Sequence, residues 1–359
     1  MNLNSEILSI LSLPFLKLAL GFIFSFIITF FGIPSVVRIS ELKGLYDLPG
    51  PITSHTRPTP RLGGAIIFAG VILSSVVFAD VPGKYEFNSI LGGMIVLFFI
   101  GLKDDIISLV PVKKAIGQLL ASLILVVLGD FRLIIPDTMI SNPVFSYLIS
   151  IGISLFLVMT LINSINLIDG IDGLASGTGI VGSLTFGIWF IFLGDLSYAV
   201  ICFALAGSLV SFFWFNVFSR KNKIFLGDTG AMLIGFLLAA FSIRFLNAAS
   251  LVHDSEIMVS APSIVLAVLA LPVFDLIRII IVRIYHGKSI FKGDNNHIHH
   301  RVLQLAGSHI KSTAIILSIN TGLIVLTIIF RDLGNLILTG ALVVIIGCLL
   351  AYLYLAREK

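Results

Sequence analysis

Residues 15–37 read FLKLALGFIFSFIITFFGIPSVV, and this stretch decides the class of fold. It carries one charged side chain, Lys17, and it is long enough to cross a bilayer as a helix, which takes about 20 apolar residues. Of all 359 residues, 57% are hydrophobic and only 12% are charged, where roughly a quarter is usual in soluble proteins. The sequence therefore predicts an all-α polytopic integral membrane protein, and disordered, collagen-like and disulfide-stapled classes are excluded.

Ten further apolar runs follow, so we expect about eleven transmembrane helices. The eleven runs lie near residues 15–37, 62–79, 89–102, 115–128, 147–161, 174–193, 198–217, 226–246, 259–284, 313–330 and 334–354. No internal repeat of fixed period and no low-complexity tract divides them. A single transmembrane domain over residues 1–359 is therefore the simplest organisation.

The basic residues predict which side each connection faces. If the N-terminus lies outside, 17 of the 23 Lys and Arg residues fall in inward-facing segments, 5 in outward-facing segments, and Arg278 inside a run. Cytoplasmic connections carry an excess of Lys and Arg, so the count places the N-terminus outside and the C-terminus in the cytoplasm. The net charge of +4 is too small to argue for nucleic-acid binding.

Two adjacent carboxylates, Asp104 and Asp105, directly follow the third run. Neighbouring carboxylates raise one another's pKa unless a cation neutralises them. Mg²⁺ is suited to such a site, because it binds a few carboxylates and completes its shell with water and phosphate oxygens. The alternative is a charged, solvated loop that ends a helix.

The stretch from Asn163 to Ala175, NSINLIDGIDGLA, is the most informative interruption of the apolar pattern. It contains Asn166, Asp169 and Asp172 but no Lys or Arg. Polar backbone at membrane depth must line a cavity or be buried in protein, since lipid cannot hydrogen-bond it. The pattern favours a ligand site over the alternative, an ordinary turn between helices.

A third polar group comprises Asn216 and the segment from Phe225 to Gly230, FLGDTG. Asp228 can ligate a metal, and the start of the helix that follows is expected to offer backbone N–H groups to an anion. The alternative for Asp228 is a helix cap. Phe225 can stack on a base or simply pack in the core.

The fourth group, residues 294–301, reads DNNHIHHR and lies in a basic loop with Lys288 and Lys292. Three His residues in four positions are compatible with zinc. The nearby bases, Arg301 included, favour a receptor for phosphates instead. The alternative is an ordinary polar loop at the membrane interface with no binding role.

Taken in order, these motifs resemble those of the polyprenyl-phosphate N-acetylhexosamine-1-phosphate transferases, multi-span enzymes that start lipid-linked glycan synthesis. The resemblance covers nearly the whole chain. It is carried by residues 55–64, Asp104-Asp105, residues 163–175, residues 227–230 and residues 297–301. The His-Ile-His-His-Arg ending looks like the branch that uses UDP-N-acetylglucosamine, whereas the peptidoglycan branch, which uses UDP-N-acetylmuramoyl-pentapeptide, typically has three consecutive His residues.

The resemblance implies transfer of N-acetylglucosamine-1-phosphate to undecaprenyl or another polyprenyl phosphate, with release of UMP and with Mg²⁺ or Mn²⁺ as cofactor. It implies that Asp228 ligates the metal, with Asp104 and Asp105 close to it. Asp169 joins these three as a catalytic residue. Substrate binding is implied for Asn163, Asn166, Asp172, Asn216, Phe225, His297, His299, His300 and Arg301.

The resemblance also implies a plasma-membrane enzyme whose active site opens to the cytoplasm and which starts a cell-envelope glycan such as lipopolysaccharide or teichoic acid. The expected partners are the nucleotide sugar, the lipid phosphate and the bilayer, with a homodimer left open and no nucleic acid. Another UDP-N-acetylhexosamine is the alternative donor. Two alternatives come from other classes. A CDP-alcohol phosphotransferase would carry two further spaced Asp residues, which this sequence lacks. A transporter would have its polar helix breaks near the middle of the membrane, whereas here they lie at the ends of the apolar runs.

Overall fold

The computed structural model describes residues 13–47, 58–80, 84–136, 139–251, 256–285, 287 and 298–355. Within these ranges the chain forms helices, and its β pairing is limited to one antiparallel bridge between Asp47 and Thr59. The helices are α1 Pro14–Lys43, α2 Gly63–Phe78, α3 Lys84–Ile107, α4 Pro111–Leu123, α5 Pro143–Ile168, α6 Leu174–Phe192, α7 Leu196–Phe213, α8 Gly227–Leu251, α9 Glu256–Tyr285, α10 Ile298–Ala306, α11 His309–Ile329 and α12 Asn335–Leu355. The predicted all-α architecture is confirmed.

Each of the eleven predicted runs coincides with one of these helices. In the described part of the chain, eight helices are long and apolar enough to cross a membrane: α1, α4 with its π-helical continuation to Leu128, α5, α6, α7 with its continuation to Phe218, α8, residues 260–285 of α9, and α11. Helix α10 lies in the polar segment before α11, where the sequence predicts a loop. The eleven-span count and the sidedness of the termini stay predictions.

Helix α8 is the central element of the bundle. Of an 18-residue apolar stretch of α8, 89% of the residues are buried, whereas the corresponding share is 28% in α1 and in α5. It packs on α2, α3, α5, α6 and α9. A helix enclosed on every side is apolar all round, and residues 229–243 of α8 are buried without a break. The charged residues of α8 are therefore confined to its ends.

Two glycines let α2 and α3 approach the first turn of α8 closely. A Cβ atom added to Gly64 would lie 2.6 Å from the Gly230 Cα, and one added to Gly101 would lie 2.5 Å from the Thr229 Cα. The Gly64 N–H also donates to the Leu226 carbonyl at 2.9 Å. Any side chain at Gly64 or Gly101 would push these backbones apart, so the two glycines fix the position of the α8 N-terminus.

The other end of α8 is held by a charge cluster around Arg244. Its Nε donates to Asp195 Oδ2 at 2.8 Å, and its Nη1 lies 3.4 Å from Glu86 Oε2. The Tyr198 hydroxyl donates to the same Glu86 oxygen at 2.8 Å. Arg244 lies sixteen residues, or about 24 Å of helix, from Asp228. The cluster joins α8 to the starts of α3 and α7, far from the predicted functional motifs.

We predict that Gly235→Ala destabilises the bundle. The new methyl group would lie 2.6 Å from both the Ile162 Cα and the Leu161 carbonyl oxygen, which belong to the backbone of α5. Overpacking of this kind costs roughly 1–3 kcal/mol, so the thermal unfolding midpoint in detergent should fall. The matched control is Gly152→Ala in α5, where a Cβ meets nothing within 4 Å. Equal midpoints for the two variants would contradict the packing described here.

Candidate active site

Lys114 lies at the centre of the polar cluster that α3, α4, α5 and α8 form. Its Nζ lies 3.1 Å from Asp104 Oδ2, it forms an ion pair with Asp228 Oδ1, and it lies 3.5 Å from Asn166 Oδ1. Asn166 Nδ2 donates to the same Asp228 oxygen at 2.5 Å. The first turn of α4 therefore connects the end of α3 to the start of α8 through one ammonium group.

Asp105 receives the backbone N–H groups at the start of α8. Its Oδ1 accepts the Asp228 N–H at 2.7 Å, and its Oδ2 accepts the Thr229 N–H at 3.1 Å and the Thr229 hydroxyl at 2.6 Å. A carboxylate at a helix N-terminus is stabilised by the unpaired N–H groups and the helix dipole. The N–H groups of Asp228 and Thr229 are therefore not open to another anion, because Asp105 accepts both of them.

Gly227, directly before Asp228, has a left-handed backbone with φ of +73°. A Cβ on Gly227 would also lie 2.7 Å from Asp105 Oδ1. Both the conformation and the missing side chain are needed for the chain to turn into α8 against the Asp105 carboxylate. Two hydrogen bonds join Phe225, just before this turn, to the chain at the start of α2. The Phe225 N–H donates to the Pro60 carbonyl at 2.7 Å, and the Gly63 N–H donates to the Phe225 carbonyl at 3.0 Å.

Asn163 and Asn166 occupy neighbouring positions near the end of α5. The Asn163 amide donates to Gln118 Oε1 at 3.3 Å and to the Met159 carbonyl at 2.7 Å. Gln118 follows Lys114 by four residues in α4, so both side chains lie on the face that meets α5. Asn166 thus contacts the carboxylate cluster directly, whereas Asn163 is engaged one turn further from it.

The turn from Asp169 to Gly173 joins α5 to α6 beside this cluster. Loss of solvation and the nearby carboxylates of Asp228 and Asp105 raise the pKa of Asp169 well above its ordinary value. Asp172 is paired instead, since its Oδ2 accepts from Lys223 Nζ at 2.5 Å. The two aspartates of the turn therefore differ in charge environment, and Asp169 is the one that a cation would stabilise in its ionised form.

Asn216 lies behind this turn. It is 5% exposed, its Oδ1 accepts the Gly173 N–H at 2.6 Å, and its Nδ2 donates to the Ile224 carbonyl at 2.9 Å. In this arrangement it braces the turn against residues 223–226. Phe225 is half-buried, with Lys223 Nζ 5.8 Å from its ring centroid. The predicted binding roles of Asn216 and Phe225 stay predictions.

The histidine motif contacts the turn from its other side. His299 and His300 at the start of α10 have ring centroids 4.4 Å apart, and a Cβ on Gly170 would lie 2.7 Å from His299 Nε2. His299 Nδ1 lies 3.5 Å from Asp275 Oδ2 of α9, whose Oδ1 accepts the Ile298 N–H at 3.1 Å. Arg301 follows on α10 and is half-buried. His297 lies outside the described residues.

The structure brings Asp104, Asp105, Asn166, Asp169 and Asp228 together around the start of α8. Three residues of the site are not indicated by the motifs: Lys114, Lys223 and His309. Lys114 reads in the sequence only as inward positive charge. The available signal was its spacing of four residues from Gln118, which gives α4 a polar face within an apolar helix.

The carboxylates of Asp104, Asp105, Asp169 and Asp228 fit a divalent cation, because Lys114 offsets only part of their charge. Among the residues described, no three His, Cys, Asp or Glu side chains are arranged to enclose a metal by themselves. Mg²⁺ does not need such a cage, since water and substrate phosphates complete its shell. Asp228, whose side chain is 28% exposed, is placed to contribute to that shell, so the arrangement suits Mg²⁺ better than a zinc ion held by histidines.

Comparison with known proteins gives a family match and several relatives. The family model described as glycosyl transferase family 4 matches residues 87–246. The decaprenyl-phosphate N-acetylglucosaminephosphotransferase of Mycobacterium tuberculosis (strain ATCC 25618 / H37Rv) is 33% identical over 324 residues, which cover 84% of this chain and 80% of the relative. The undecaprenyl-phosphate alpha-N-acetylglucosaminyl 1-phosphate transferase of Escherichia coli (strain K12) is 28% identical over 276 residues, covering 74% and 71%.

A third relative comes from Bacillus subtilis. The probable undecaprenyl-phosphate N-acetylglucosaminyl 1-phosphate transferase of Bacillus subtilis (strain 168) is 27% identical over 309 residues, which cover 84% of this chain and 81% of the relative. The stretch matched by the family model contains the Lys114 cluster and the turn from Asp169 to Gly173, and it ends before α10.

We predict that Lys114→Met lowers stability. The substitution keeps an unbranched side chain of nearly the same length but leaves Asp104 and Asp228 without their shared cation. The free energy of unfolding should fall by roughly 2 kcal/mol, the size of a hydrogen bond to a charged group. Thermal unfolding in detergent, without added divalent cation, measures it. Lys113→Met is the control because Lys113 is exposed; if both variants unfold at the same temperature, Lys114 does not hold the cluster together.

Proposed function

The chain belongs to the polyprenyl-phosphate N-acetylhexosamine-1-phosphate transferases of glycosyl transferase family 4, and we propose that its donor is UDP-N-acetylglucosamine and its acceptor undecaprenyl or another polyprenyl phosphate. The names of the relatives support both the sugar and the class of lipid. The observation that carries the proposal is the convergence of Asp104, Asp228 and Asn166 on Lys114 at the start of α8. Such a cluster suits phosphoryl transfer, in which positioning and charge stabilisation supply most of the catalysis.

In the proposed reaction, an oxygen of the lipid phosphate attacks the phosphorus that bears the sugar. A new P–O bond forms while the bond from that phosphorus to the bridging oxygen breaks, and this oxygen leaves as part of UMP. The products are UMP and polyprenyl-diphospho-N-acetylglucosamine. Because one phosphoanhydride replaces another, the reaction should be close to equilibrium and reversible.

The aspartates are proposed to organise charge and not to abstract a proton. A phosphate monoester has a second pKa near 6, so the attacking lipid phosphate is already largely dianionic at neutral pH. Asp105 accepts three hydrogen bonds from Asp228 and Thr229, and Asp104 accepts one from the Leu109 N–H at 2.5 Å besides its contact with Lys114. Carboxylates engaged in this way are suited to fixing the geometry of α3, α4 and α8.

Lys114 and Asn166 are proposed to act on the phosphates, since both contact Asp228. Mg²⁺ or Mn²⁺, held by Asp228 with Asp104 and Asp105 nearby, would supply positive charge to the phosphate oxygens when bound. A lysine fixed within the site would stabilise the transferring phosphoryl group without reorganising during the reaction.

The turn from Asp169 to Gly173 is proposed to hold the nucleotide sugar, together with Phe225 and with Asn163 and Asn216 as bracing amides. His297, His299, His300 and Arg301 are proposed to bind the diphosphate or the sugar. The contact of His299 and His300 with Gly170 supports this part of the proposal, because it places α10 against the same turn.

We further propose that the protein works in the plasma membrane with this site at the cytoplasmic face, and that its product starts a cell-envelope glycan. The excess of basic residues in the predicted inward segments supports this orientation. A lipid phosphate in the bilayer and a nucleotide sugar in water can meet only in a polar pocket at the membrane surface.

We predict that membranes containing the protein release UMP from UDP-N-acetylglucosamine only when both polyprenyl phosphate and Mg²⁺ or Mn²⁺ are present. Removing the cation with a chelator should stop release, and adding it back should restore it. Release is measured by chromatography of the nucleotide products. A panel of UDP-N-acetylhexosamines, including UDP-N-acetylmuramoyl-pentapeptide, identifies the donor.

Each arm of this experiment has its own outcome. Release with a different UDP-sugar would replace UDP-N-acetylglucosamine as donor while leaving the reaction class intact. Absence of UMP with every nucleotide sugar would overturn the proposed function. Undiminished release in the presence of the chelator would remove the divalent cation from it.

A further inference from the structure

The first two turns of α11 hold the main chain of Asp172 through both its N–H and its carbonyl group. The Asp172 N–H donates to His309 Nδ1 at 3.3 Å, and the Thr313 hydroxyl donates to the Asp172 carbonyl at 2.8 Å. His309 and Thr313 are four residues apart and therefore lie on one face of the helix. Helix α11 thus contacts the turn through two side chains that bind its backbone and not its carboxylate.

The geometry assigns His309 the role of a hydrogen-bond acceptor. His309 Nδ1 lies 3.7 Å from Asp172 Oδ2, which is beyond hydrogen-bond distance. The same carboxylate oxygen already accepts from Lys223 at 2.5 Å. A ring nitrogen that accepts an N–H carries no proton, so the neutral ring of His309 has its proton on Nε2. His309 therefore contacts Asp172 through the main-chain N–H and not through an ion pair with its carboxylate.

Three successive main-chain groups of the turn are held by side chains from outside it. His309 binds the Asp172 N–H, Thr313 binds the Asp172 carbonyl, and Asn216 binds the Gly173 N–H at 2.6 Å. Gly173 has a left-handed φ of +81° and precedes the first residue of α6. Without these partners, the turn would have to satisfy its buried polar groups in another way.

The α10–α11 pair touches the turn at two points. His299 and His300 of α10 contact Gly170, and His309 of α11 contacts Asp172 two residues later. Gly307 and Ser308 join the two helices, and the Ser308 Oγ accepts the Lys311 N–H at 3.3 Å as an N-cap. The turn is therefore contacted by the start of α10 at Gly170 and by the start of α11 at Asp172.

We propose that His309, with Thr313, is a positioning residue for the nucleotide-sugar half of the site and acts through the main chain of Asp172. This inference rests on the proposed function for the identity of the substrate. A displaced Asp172 backbone moves the Asp172 and Asp169 side chains and weakens binding of the nucleotide sugar. We place the lipid phosphate nearer Asp104 and Asp105, on the other side of the cluster, so its binding is unaffected.

Four substitutions separate this role from a general loss of folding. His309→Asn keeps an acceptor oxygen near the position of Nδ1, whereas His309→Gln carries it further out, near the position of Nε2. Thr313→Ser keeps the hydroxyl group, and Thr313→Val removes it at nearly constant volume. The thermal unfolding midpoint of each purified variant in detergent controls for damage to the bundle.

Hydrogen–deuterium exchange of the Asp172 amide tests the contact without any substrate. Loss of a neutral hydrogen bond of about 1 kcal/mol should speed exchange about fivefold in His309→Gln, while His309→Asn stays near the wild-type rate. Equal exchange in these two variants and the wild type would overturn the assignment. This readout stands even if the wild-type protein releases no UMP, which would overturn the proposed function alone.

Steady-state kinetics test the consequence for substrates. We expect KM for the nucleotide sugar to rise about fivefold to tenfold in His309→Gln and Thr313→Val, and KM for polyprenyl phosphate to change less than about twofold. His309→Asn and Thr313→Ser should restore most of the loss. An equal rise in both KM values, or a fall in kcat alone that follows the amount of folded protein, would contradict a positioning role.

Discussion

The close packing of α2 and α3 on the first turn of α8 is the constraint on which the site depends. Gly64 and Gly101 allow backbones to meet where any larger residue would separate them. This contact places Asp105, at the end of α3, where it can accept the N–H groups of Asp228 and Thr229. The carboxylate of Asp228 then has a fixed direction, because the residue that carries it is anchored through its own main chain.

The second requirement is the balance of charge around that anchored residue. Carboxylates from α3, the α5–α6 turn and α8 meet in a region from which apolar helices exclude much of the water. Burying several negative charges together raises the free energy of the folded protein unless cations compensate them. Lys114 compensates Asp104 and Asp228. Burial, together with the negative charge of Asp228 and Asp105, raises the pKa of Asp169. This charge balance is the basis of our proposal that the site binds a divalent cation and the phosphates that arrive with it.

Much of the fold can be predicted from the sequence because hydropathy is a local property. The apolar runs locate eleven helices, and the acidic motifs locate the ends of those that carry Asp104, Asp169 and Asp228. Helix α10 escapes prediction, because nine amphipathic residues next to a polar loop give too weak a signal. Lys114 and His309 escape for a different reason. Each reads as an ordinary charge or helix start. Lys114 gains its partners only where α4 meets α3, α5 and α8, and His309 gains its partner only where α11 meets the turn.

Manganese binding measured by electron paramagnetic resonance most directly tests our proposal that the anchored Asp228 ligates the metal of this site. We predict that one Mn²⁺ binds per chain in the presence of UDP-N-acetylglucosamine. In Asp228→Asn the affinity for Mn²⁺ should fall by about tenfold or more, because even substitutions of the residues that support metal ligands lower metal affinity by about 10-fold to 100-fold. Asp130→Asn is the matched control, since Asp130 is exposed on a distant connection. Unchanged Mn²⁺ affinity in Asp228→Asn would show that Asp228 does not ligate the metal.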